Sequence, residues 1–323
     1  MITLALAGDT MLGRGVADRI RRTPHQPLIA PEVVAVAREA DLFVLNLECC
    51  ISDRGAPWPA PGKPFFFRAP PVAARLLADL GVDCVTVANN HALDFGADAL
   101  LDTLEHLAAA GIASVGAGPD ASRARRPVML EAAGFQLAVI GLTDHPEDFA
   151  AGGNRPGVAF ADLRHEMPAW VTETVAHARA AADAVLVTPH WGPNMTAEPI
   201  PPVRAAARAL VDAGATVVAG HSAHVFHGVG HHGRVLFDLG DFLDDYAVDG
   251  RLRNDLGLLW LVSLDAGGPR RIEAVPLTLD FCHTGLARGD DAEWIGRRLR
   301  AACAPFGTTV SVDDGRLVIG LRD

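Results

Sequence analysis

Cysteine and long apolar segments are scarce in this sequence, and each shortage excludes a class of protein. The five cysteines are odd in number and none belongs to a CxxC pair, so we predict neither a disulfide framework nor a thiolate zinc site. No apolar run reaches the roughly 18 residues of a membrane span. The opening residues, MITLALAG, enter a predicted strand directly and lack a basic export signal, so we expect a cytoplasmic protein.

Positive charge is scarce as well. The 28 lysines and arginines stand against 39 aspartates and glutamates, which gives a formal net charge of −11. Such a chain repels a phosphate backbone, and no dense Lys/Arg stripe offsets the repulsion, so we expect no nucleic-acid partner. Hydrophobic residues make up 50% of the chain, and this balance is typical of a globular enzyme.

Short apolar runs alternate with helical stretches along most of the chain. The runs are typical of strands buried on both faces, and they occupy residues 2–7, 42–46, 83–87, 137–141, 184–188, 216–219 and 235–239. Apolar residues recur with helical spacing in residues 71–80, 97–110, 168–183 and 202–213. This alternation predicts an α/β layered fold.

The C-terminal region predicts further elements of the same fold. Strand patterns from about residue 256 precede a helix around 291–304 and a final hairpin at Asp313-Asp314-Gly315. We therefore expect a single domain over 1–323, in which a motif-bearing core of about 1–245 is completed by 256–323.

Polar motifs follow the predicted strands. In layered α/β folds, the loops after the carboxyl ends of the strands converge and bind ligands. The motifs are Gly8-Asp9, Asn46-x-Glu48, Asn89-Asn90-His91, His190-Trp191-Gly192, Gly220-His221 and Gly240-Asp241. They predict one site assembled from several loops.

Each motif has a chemical and a structural interpretation. His221 and His224 leave a strand three residues apart, where both imidazoles can face one ion, but they could also be exposed turn histidines. Asp9 could bind a metal or cap a helix. An amide oxygen of Asn90 can ligate a cation and His91 can donate a proton, although both residue types are also common in turns.

The order of the motifs resembles that of the CapA/PgsA-type poly-γ-glutamate capsule biosynthesis proteins, which have the calcineurin-like metallophosphoesterase fold. The resemblance runs from residue 1 to about 245 through GDTMLGRGV, NLECCIS, KPFFFRAPP, VTVANNHALDFG, PHWG, GHSAHVFHGV and DLGDF. It implies a four-layer αββα sandwich of the metallophosphoesterase type.

The resemblance also implies roles for individual residues. His91 corresponds to the general acid, and Asp9 is a second catalytic candidate. One or two divalent ions, Mn, Fe or Zn, would be bound by Asp9, Glu48, Asn90, His190, His221 and His224. We assign Asn46, Lys63 and Arg68 as candidate substrate-binding residues. Lys63 and Arg68 belong to the long loop 55–71, where they could bind a phosphate or carboxylate or could simply be solvated charges.

The sequence departs from the family patterns at three positions. Met11 stands where metallophosphoesterases have a histidine ligand, Glu48 replaces a bridging aspartate, and Ser222 replaces a histidine that capsule proteins commonly have. Because of these departures, the sequence is compatible with two bound ions, one ion or none.

Three functions compete. The leading hypothesis is a metal-dependent hydrolase of a phosphoester or related anionic substrate, in which the ions stabilise developing charge and His91 donates a proton. The alternatives are a metal-independent epimerase of a ribosomally made peptide, acting through Asp9 and a histidine, and a poly-γ-glutamate binding or assembly factor. We expect the partner to be a small anionic substrate or a peptide.

Overall fold

The computed structural model describes residues 1–23, 26–59 and 61–321. Its helices are α1 (Arg14–Arg22), α2 (Pro31–Ala37), α3 (Val72–Leu80), α4 (Gly96–Ala109), α5 (Ala121–Ala124), α6 (Ala169–Ala181), α7 (Pro201–Asp212) and α8 (Gly289–Cys303). Short 3₁₀ segments lie at Glu147–Phe149 and Ala304–Phe306. None of the described helices combines the length and the hydropathy needed to cross a bilayer.

The strands follow the predicted apolar runs and add shorter segments between them. Numbered along the chain, they are β1 (Ile2–Thr10), β2 (Leu42–Leu47), β3 (Cys50–Ile51), β4 (Arg68–Ala69), β5 (Cys84–Thr86), β6 (Ala113–Val115), β7 (Ala117–Gly118), β8 (Val128–Ala132), β9 (Phe135–Thr143), β10 (Gly157–Val158), β11 (Ala184–His190), β12 (Val217–Ala219), β13 (Val229–Gly230), β14 (Val235–Leu236), β15 (Asp241–Leu243), β16 (Leu256–Asp265), β17 (Gly268–Asp280), β18 (His283–Leu286), β19 (Thr309–Asp313) and β20 (Arg316–Gly320).

Two large sheets contain most of these strands. The first has the order β19-β20-β17-β16-β1-β2-β5-β6, with β15 beside β1 and β18 beside β17. The second has the order β13-β14-β12-β11-β9-β8. In the first sheet β1, β2, β5 and β6 run parallel, whereas β16 runs antiparallel to β1. The C-terminal strands therefore extend the sheet that β1 begins.

The alternation of side chains along β1 builds two different apolar layers. Leu4 and Leu6 face the second sheet, where they share a buried cluster with Val139 of β9. Ala5 and Ala7 face the opposite way, into a cluster covered by helices α1 to α4. Helices α6 and α7 cover the outer face of the second sheet. The predicted four-layer αββα sandwich is confirmed.

Two of the predicted segments differ from the sequence-based expectation. The predicted strand 235–239 is shortened to Val235–Leu236, because the backbone amides of Phe237 and Leu239 donate to Gly228 and Gly220 instead of continuing the ladder. The predicted long loop 55–71 ends in the short strand β4, which pairs with β3, and its residue 60 lies outside the described residues.

The carboxyl ends of the central strands meet at one edge of the sandwich. Asp9 of β1 is in register with Asn46 of β2, and His190 at the end of β11 forms a parallel bridge to His221. A contact of 3.3 Å between Nδ2 of Asn46 and Nδ1 of His190 joins the two sheets at this edge. The strand-end motifs therefore come from both sheets to one place.

Candidate metal centre and cleft

The position of Asp9 depends on the glycine before it. A Cβ on Gly8 would lie 1.7 Å from the carbonyl oxygen of Gly240, so only glycine permits this close approach. The approach lets the backbone amide of Asp9 donate to that oxygen at 2.9 Å and brings Asp9 into register with Asp241. Two carboxylates from different parts of the chain are thereby placed side by side.

Asp9 lies at the centre of the cluster and is buried. Nδ2 of Asn46 donates to its Oδ1 at 2.7 Å, and the backbone amide of Ser222 donates to its Oδ2 at 3.2 Å. The Nδ1 atoms of His221 and His224 lie 3.4 and 3.3 Å from its carboxylate oxygens. Burial opposes ionisation, but the two histidines outweigh it and hold the pKa of Asp9 well below its usual range.

His224 faces more carboxylates than one imidazole can satisfy. Its Nδ1 lies 2.9 Å from Oδ1 of Asp241, 3.3 Å from Oδ2 of Asp9 and 3.9 Å from Oε2 of Glu48. Burial lowers the pKa of His224, but Asp241 and Glu48 outweigh burial and place that pKa well above its usual value. One N–H donates to one acceptor, so the cluster has more buried negative charge than His224 can neutralise.

Glu48 and His190 form the other half of the cluster. Oε1 of Glu48 lies 4.0 Å from Nε2 of His190 and 4.0 Å from Nε2 of His91. Burial, reinforced by the charge of Asp9, raises the pKa of Glu48 well above its usual range. Burial also lowers the pKa of His190 well below its usual value, which favours the neutral imidazole that metals bind.

Buried polar atoms without a partner converge at this cluster. Buried donors and acceptors normally have hydrogen-bond partners, so several unpaired atoms in one place need an explanation. Within the described residues, the unpaired atoms include Oε1 of Glu48, Oδ1 of Asn90, Nε2 of His190, Nδ1 of His221 and Oδ2 of Asp241. Their chemistry, carboxylate and amide oxygen with imidazole nitrogen, fits divalent cations.

Two candidate ligand groups share Asp9. Asp9, His224 and Asp241 form one group, and Asp9, Glu48 and His190 form the other, with ligand atoms within 4.8 Å of one another. The residues present therefore fit one or two divalent ions. Four of the six predicted ligands belong to these groups: Asp9, Glu48, His190 and His224. His221 contacts Asp9, and Asn90 has an unpaired amide oxygen.

Asp241 belongs to a candidate ligand group, although the sequence analysis assigned it no ligand role. Met11, at the position of the expected histidine, turns its sulfur to accept from the backbone amide of Gly13 at 2.9 Å and packs into the core. Asp241 instead presents a carboxylate to His224 and Asp9. From sequence, Gly240-Asp241 is one of the strand-end motifs, without a ligand role. The DLGDF block was the signal that could have identified it.

His91 is held by a carboxylate and an aromatic ring. Its Nδ1 lies 2.6 Å from Oδ2 of Asp94, and its ring stacks on Phe67 with 4.0 Å between centroids. Burial lowers the pKa of His91 to about 4, although Asp94 opposes the shift. The arrangement fixes the ring and directs Nε2 toward Glu48.

The three predicted substrate residues have different surroundings. Nζ of Lys63 lies 3.0 Å from Oδ1 of Asp94 and donates to the carbonyl oxygen of Asn90 at 2.9 Å, which places it beside the centre. Asn46 is buried, with its amide bonded to Asp9 and to Asn89. Arg68 points elsewhere: it donates to the carbonyl oxygen of Arg54 and covers the ring of Phe95. A substrate role for each of the three stays a prediction.

An open cleft of about 550 Å³ leads to this centre. Its wall includes His91 and His224, the aromatic rings of Phe67 and Tyr246, and the guanidinium of Arg14. The hydroxyl of Tyr246 donates to Oε2 of Glu48 at 3.4 Å, so the cleft and the centre are in direct contact. From sequence, Arg14 and Tyr246 carry no assigned role.

Comparison with known proteins identifies related chains. The probable polyglutamine synthesis accessory protein of Mycobacterium tuberculosis (strain CDC 1551 / Oshkosh) is 30% identical over 96% of this chain and 93% of that protein. The PGA biosynthesis protein CapA of Bacillus subtilis (strain 168) is 29% identical over 86% of this chain and 72% of that protein. A hypothetical protein from Thermus thermophilus superimposes with a TM-score of 0.49 at 16% identity, covering 85% of this chain and 98% of that chain.

The family assignment depends on a family model and on the first of these relatives. The model described as bacterial capsule synthesis protein PGA_cap matches residues 3–246, which is well over half of the chain. The predicted resemblance to CapA-type proteins is thus confirmed. The chain belongs to the bacterial capsule synthesis protein PGA_cap family.

Proposed function

We propose that this protein is a metal-dependent hydrolase of a phosphoester or a related anionic substrate. The observation that carries the proposal is the convergence of unpaired, buried ligand atoms around Asp9. A protein that used this pocket only for packing would have to protonate Glu48 and Asp241, whose pKa values burial raises, or keep them ionised at a cost of several kcal/mol per ion. A divalent cation would offset that charge.

The chain offers ligands for two neighbouring ions. Asp9, His224 and Asp241 would hold one, and Asp9, Glu48 and His190 would hold the other. His221 contacts the shared Asp9, and Asn90 offers an unpaired amide oxygen. Divalent ions of this kind polarise a phosphoryl oxygen and lower the pKa of a bound water. Mn, Fe and Zn all suit a mixed nitrogen and oxygen ligand set.

His91 would protonate the leaving group. Its Nε2 faces the cluster at 4.0 Å from Glu48, while Nδ1 is committed to Asp94. The low pKa caused by burial keeps the free imidazole neutral at pH 7, and an anionic substrate against Nε2 would raise that pKa by favouring the charged form. His91 would thus acquire its proton when the substrate is bound.

Lys63 would support this step from the other side of Asp94. Its ammonium pairs with Oδ1 of Asp94 and holds the carbonyl of Asn90, so one side chain fixes the loop that carries both His91 and a candidate ligand. Lys63 also lines a second cavity of about 310 Å³ beside the centre, where its charge would attract an anionic substrate.

The names of the relatives suggest the chemistry of the substrate. Two of them are named for polyglutamine or PGA synthesis. We therefore expect the phosphoester or related anionic group to be carried by a small or peptide-like molecule. The substrate would enter through the open cleft.

Metal content and hydrolysis together test the proposal. Elemental analysis of the purified protein should find one to two divalent ions per chain, and Asp9→Asn should lose them because Asp9 belongs to both ligand groups. Hydrolysis of a phosphomonoester panel should stop on chelation and return when Mn²⁺ is added. A well-folded wild-type protein that neither retains nor binds divalent ions would refute the proposal.

A second candidate, metal-independent epimerisation of a peptide, is favoured by one observation. Asp9 directly contacts both His221 and His224, so a carboxylate and an imidazole are already in position to exchange a proton. Incubation with peptides in heavy water would then introduce deuterium at an α-carbon, and chelation would not prevent it. Absence of exchange in the apo protein rejects this candidate.

A further inference from the structure

Arg14 lies on the wall of the cleft, where several contacts fix its guanidinium. Nε and Nη2 both donate to the carboxylate of Asp245, with 3.0 Å between Nε and Oδ1. Oδ2 of the same carboxylate accepts from the backbone amide of Gly15 at 2.8 Å. The guanidinium carbon lies 5.1 and 5.0 Å from the ring centroids of Phe65 and Phe67. The side chain is therefore held in one orientation.

The ion pair with Asp245 does not explain the exposure of Arg14, its backbone conformation or, within the described residues, its free Nη1 atom. The Arg14 side chain is 31% exposed, and its backbone has a φ of +43°, a left-handed conformation that non-glycine residues seldom adopt. The bonds to Asp245 use Nε and Nη2, so among the described contacts Nη1 is still available to a ligand. Backbone strain of this kind often accompanies ligand sites.

Arg14 is separated from the reacting groups by one aromatic ring. Phe67, which it contacts, stacks on the imidazole of His91 at 4.0 Å. Tyr246, whose ring centroid is 5.5 Å from the guanidinium carbon, donates to Glu48. A ligand with one end at His91 could therefore place its other end at Arg14.

The cleft between these two ends suits an apolar or planar group. Phe65 is 52% exposed although it is a large hydrophobic side chain, and Phe67 and Tyr246 lie next to it on the same wall. Exposed aromatic side chains beside a cleft are common features of ligand sites. Asp245 also lines the cleft and partly neutralises Arg14.

We propose that Arg14 recognises a second anionic group, a carboxylate or phosphate, at the far end of the leaving group. This inference rests on the proposed function and narrows its substrates to phosphoesters whose leaving group has an apolar or planar segment followed by an oxyanion. A guanidinium is suited to such recognition because its N–H groups match the spacing of two oxygens.

Binding of non-hydrolysable probes to the protein as purified tests the inference by calorimetry. The probes are 4-carboxybenzylphosphonate, its 4-carbamoyl analogue and the corresponding bisphosphonate. The wild type should bind the carboxylate or the bisphosphonate about 10-fold more tightly than the carbamoyl probe, and the better of the two identifies the oxyanion. Arg14→Met should reduce this preference to about 1, whereas Arg21→Met, an exposed arginine of α1, should retain it.

The Asp245→Asn variant distinguishes recognition of the anionic probe by Arg14 from a purely structural role of Arg14 in its loop. The amide oxygen can still accept from Gly15, but the neutralising charge is removed, so a recognising Arg14 should bind the anionic probe more tightly than in the wild type. If Asp245→Asn instead loses the preference as Arg14→Met does, Arg14 only supports the loop and the inference is wrong. Equal binding of charged and uncharged probes, or no binding of any probe, also overturns it.

Hydrolysis of 4-carboxyphenyl phosphate is measured separately. An Arg14-dependent preference in binding together with no hydrolysis would refute the proposed reaction while the anion site remains established. Hydrolysis without any such preference in binding would support the proposed reaction but refute the anion site at Arg14.

Discussion

Nδ1 of His91 lies 2.6 Å from Oδ2 of Asp94, three residues further along the chain. The same carboxylate accepts from the backbone amide of Phe67 at 2.6 Å through Oδ2 and pairs with Lys63 through Oδ1. Asp94 thereby ties the imidazole to the long loop that covers it. The orientation of His91 and the path of that loop depend on one buried side chain.

His91→Gln should lower kcat for phosphoester hydrolysis by about 10²- to 10⁴-fold, the usual contribution of a general acid. The loss should be smaller for 4-nitrophenyl phosphate than for an alkyl phosphate, since nitrophenolate leaves without a proton. Steady-state kinetics on both substrates measures the difference.

The control for this prediction is His177→Gln, an exposed histidine of α6. It should leave both rates unchanged, and the metal content of both variants should equal that of the wild type. An equal loss with the two leaving groups would show that His91 does not act as a proton donor.

Asp241→Ala should bind one divalent ion fewer than the wild type. It removes the carboxylate that completes the group of Asp9 and His224, while the group containing Glu48 and His190 is left intact. Elemental analysis gives the stoichiometry, and titration of the apo protein with Mn²⁺ gives the affinity of each step.

Asp79→Ala, at an exposed position of α3, serves as the matched control. It should bind ions as the wild type does. Unchanged stoichiometry and affinity in Asp241→Ala would mean that Asp241 only orients His224.

Much of the fold and of the centre follows from local sequence. The apolar run at the start of β1 identifies a buried strand because both of its faces pack, and the motif after it identifies Asp9 because strand ends converge. Likewise His221 and His224 are predictable as a pair from their spacing. In each case the information lies within a few neighbouring residues.

Other features depend on contacts between distant segments. The DLGDF block marks Asp241 as a strand-end acid, but its place beside Asp9 depends on the parallel pairing of β15 with β1, a long-range contact. Arg14 lines the cleft where Asp245, 231 residues further along the chain, holds its guanidinium, and no local pattern indicates that contact. Helix α2 is short and rich in β-branched valine, so its helical pattern is weak.

The free energy of unfolding should fall in acid partly because of His227. Burial lowers the pKa of this imidazole to about 4, and Nε2 donates to the carbonyl oxygen of Thr196 at 2.8 Å. The unfolded state takes up a proton near pH 6.5 and the folded state resists it until about pH 4, so stability is present above pH 6.5 and is lost as pH falls toward 4. By pH 5 the loss should be about 2 kcal/mol.

Urea unfolding of the wild type and His227→Gln at pH 7.5 and pH 5, both with chelator, isolates this contribution. Glutamine can keep the bond to Thr196 but takes up no proton, so the variant should lose about 2 kcal/mol less than the wild type between the two pH values. The exposed His177→Gln should follow the wild type. Parallel behaviour of the wild type and the His227 variant would assign the acid sensitivity to other groups.

Gly8→Ala should damage stability and metal binding together. The new methyl would lie 1.7 Å from the carbonyl oxygen of Gly240, a backbone atom that can move only if β1 and β15 separate. Overpacking of this kind costs about 1–3 kcal/mol or more, and separation would also withdraw Asp9 from Asp241. Gly153→Ala, where the added Cβ meets nothing within 4 Å, is the control and should change neither property. A Gly8→Ala protein with lower stability but wild-type Mn²⁺ affinity would show that the centre tolerates separation of the two carboxylates.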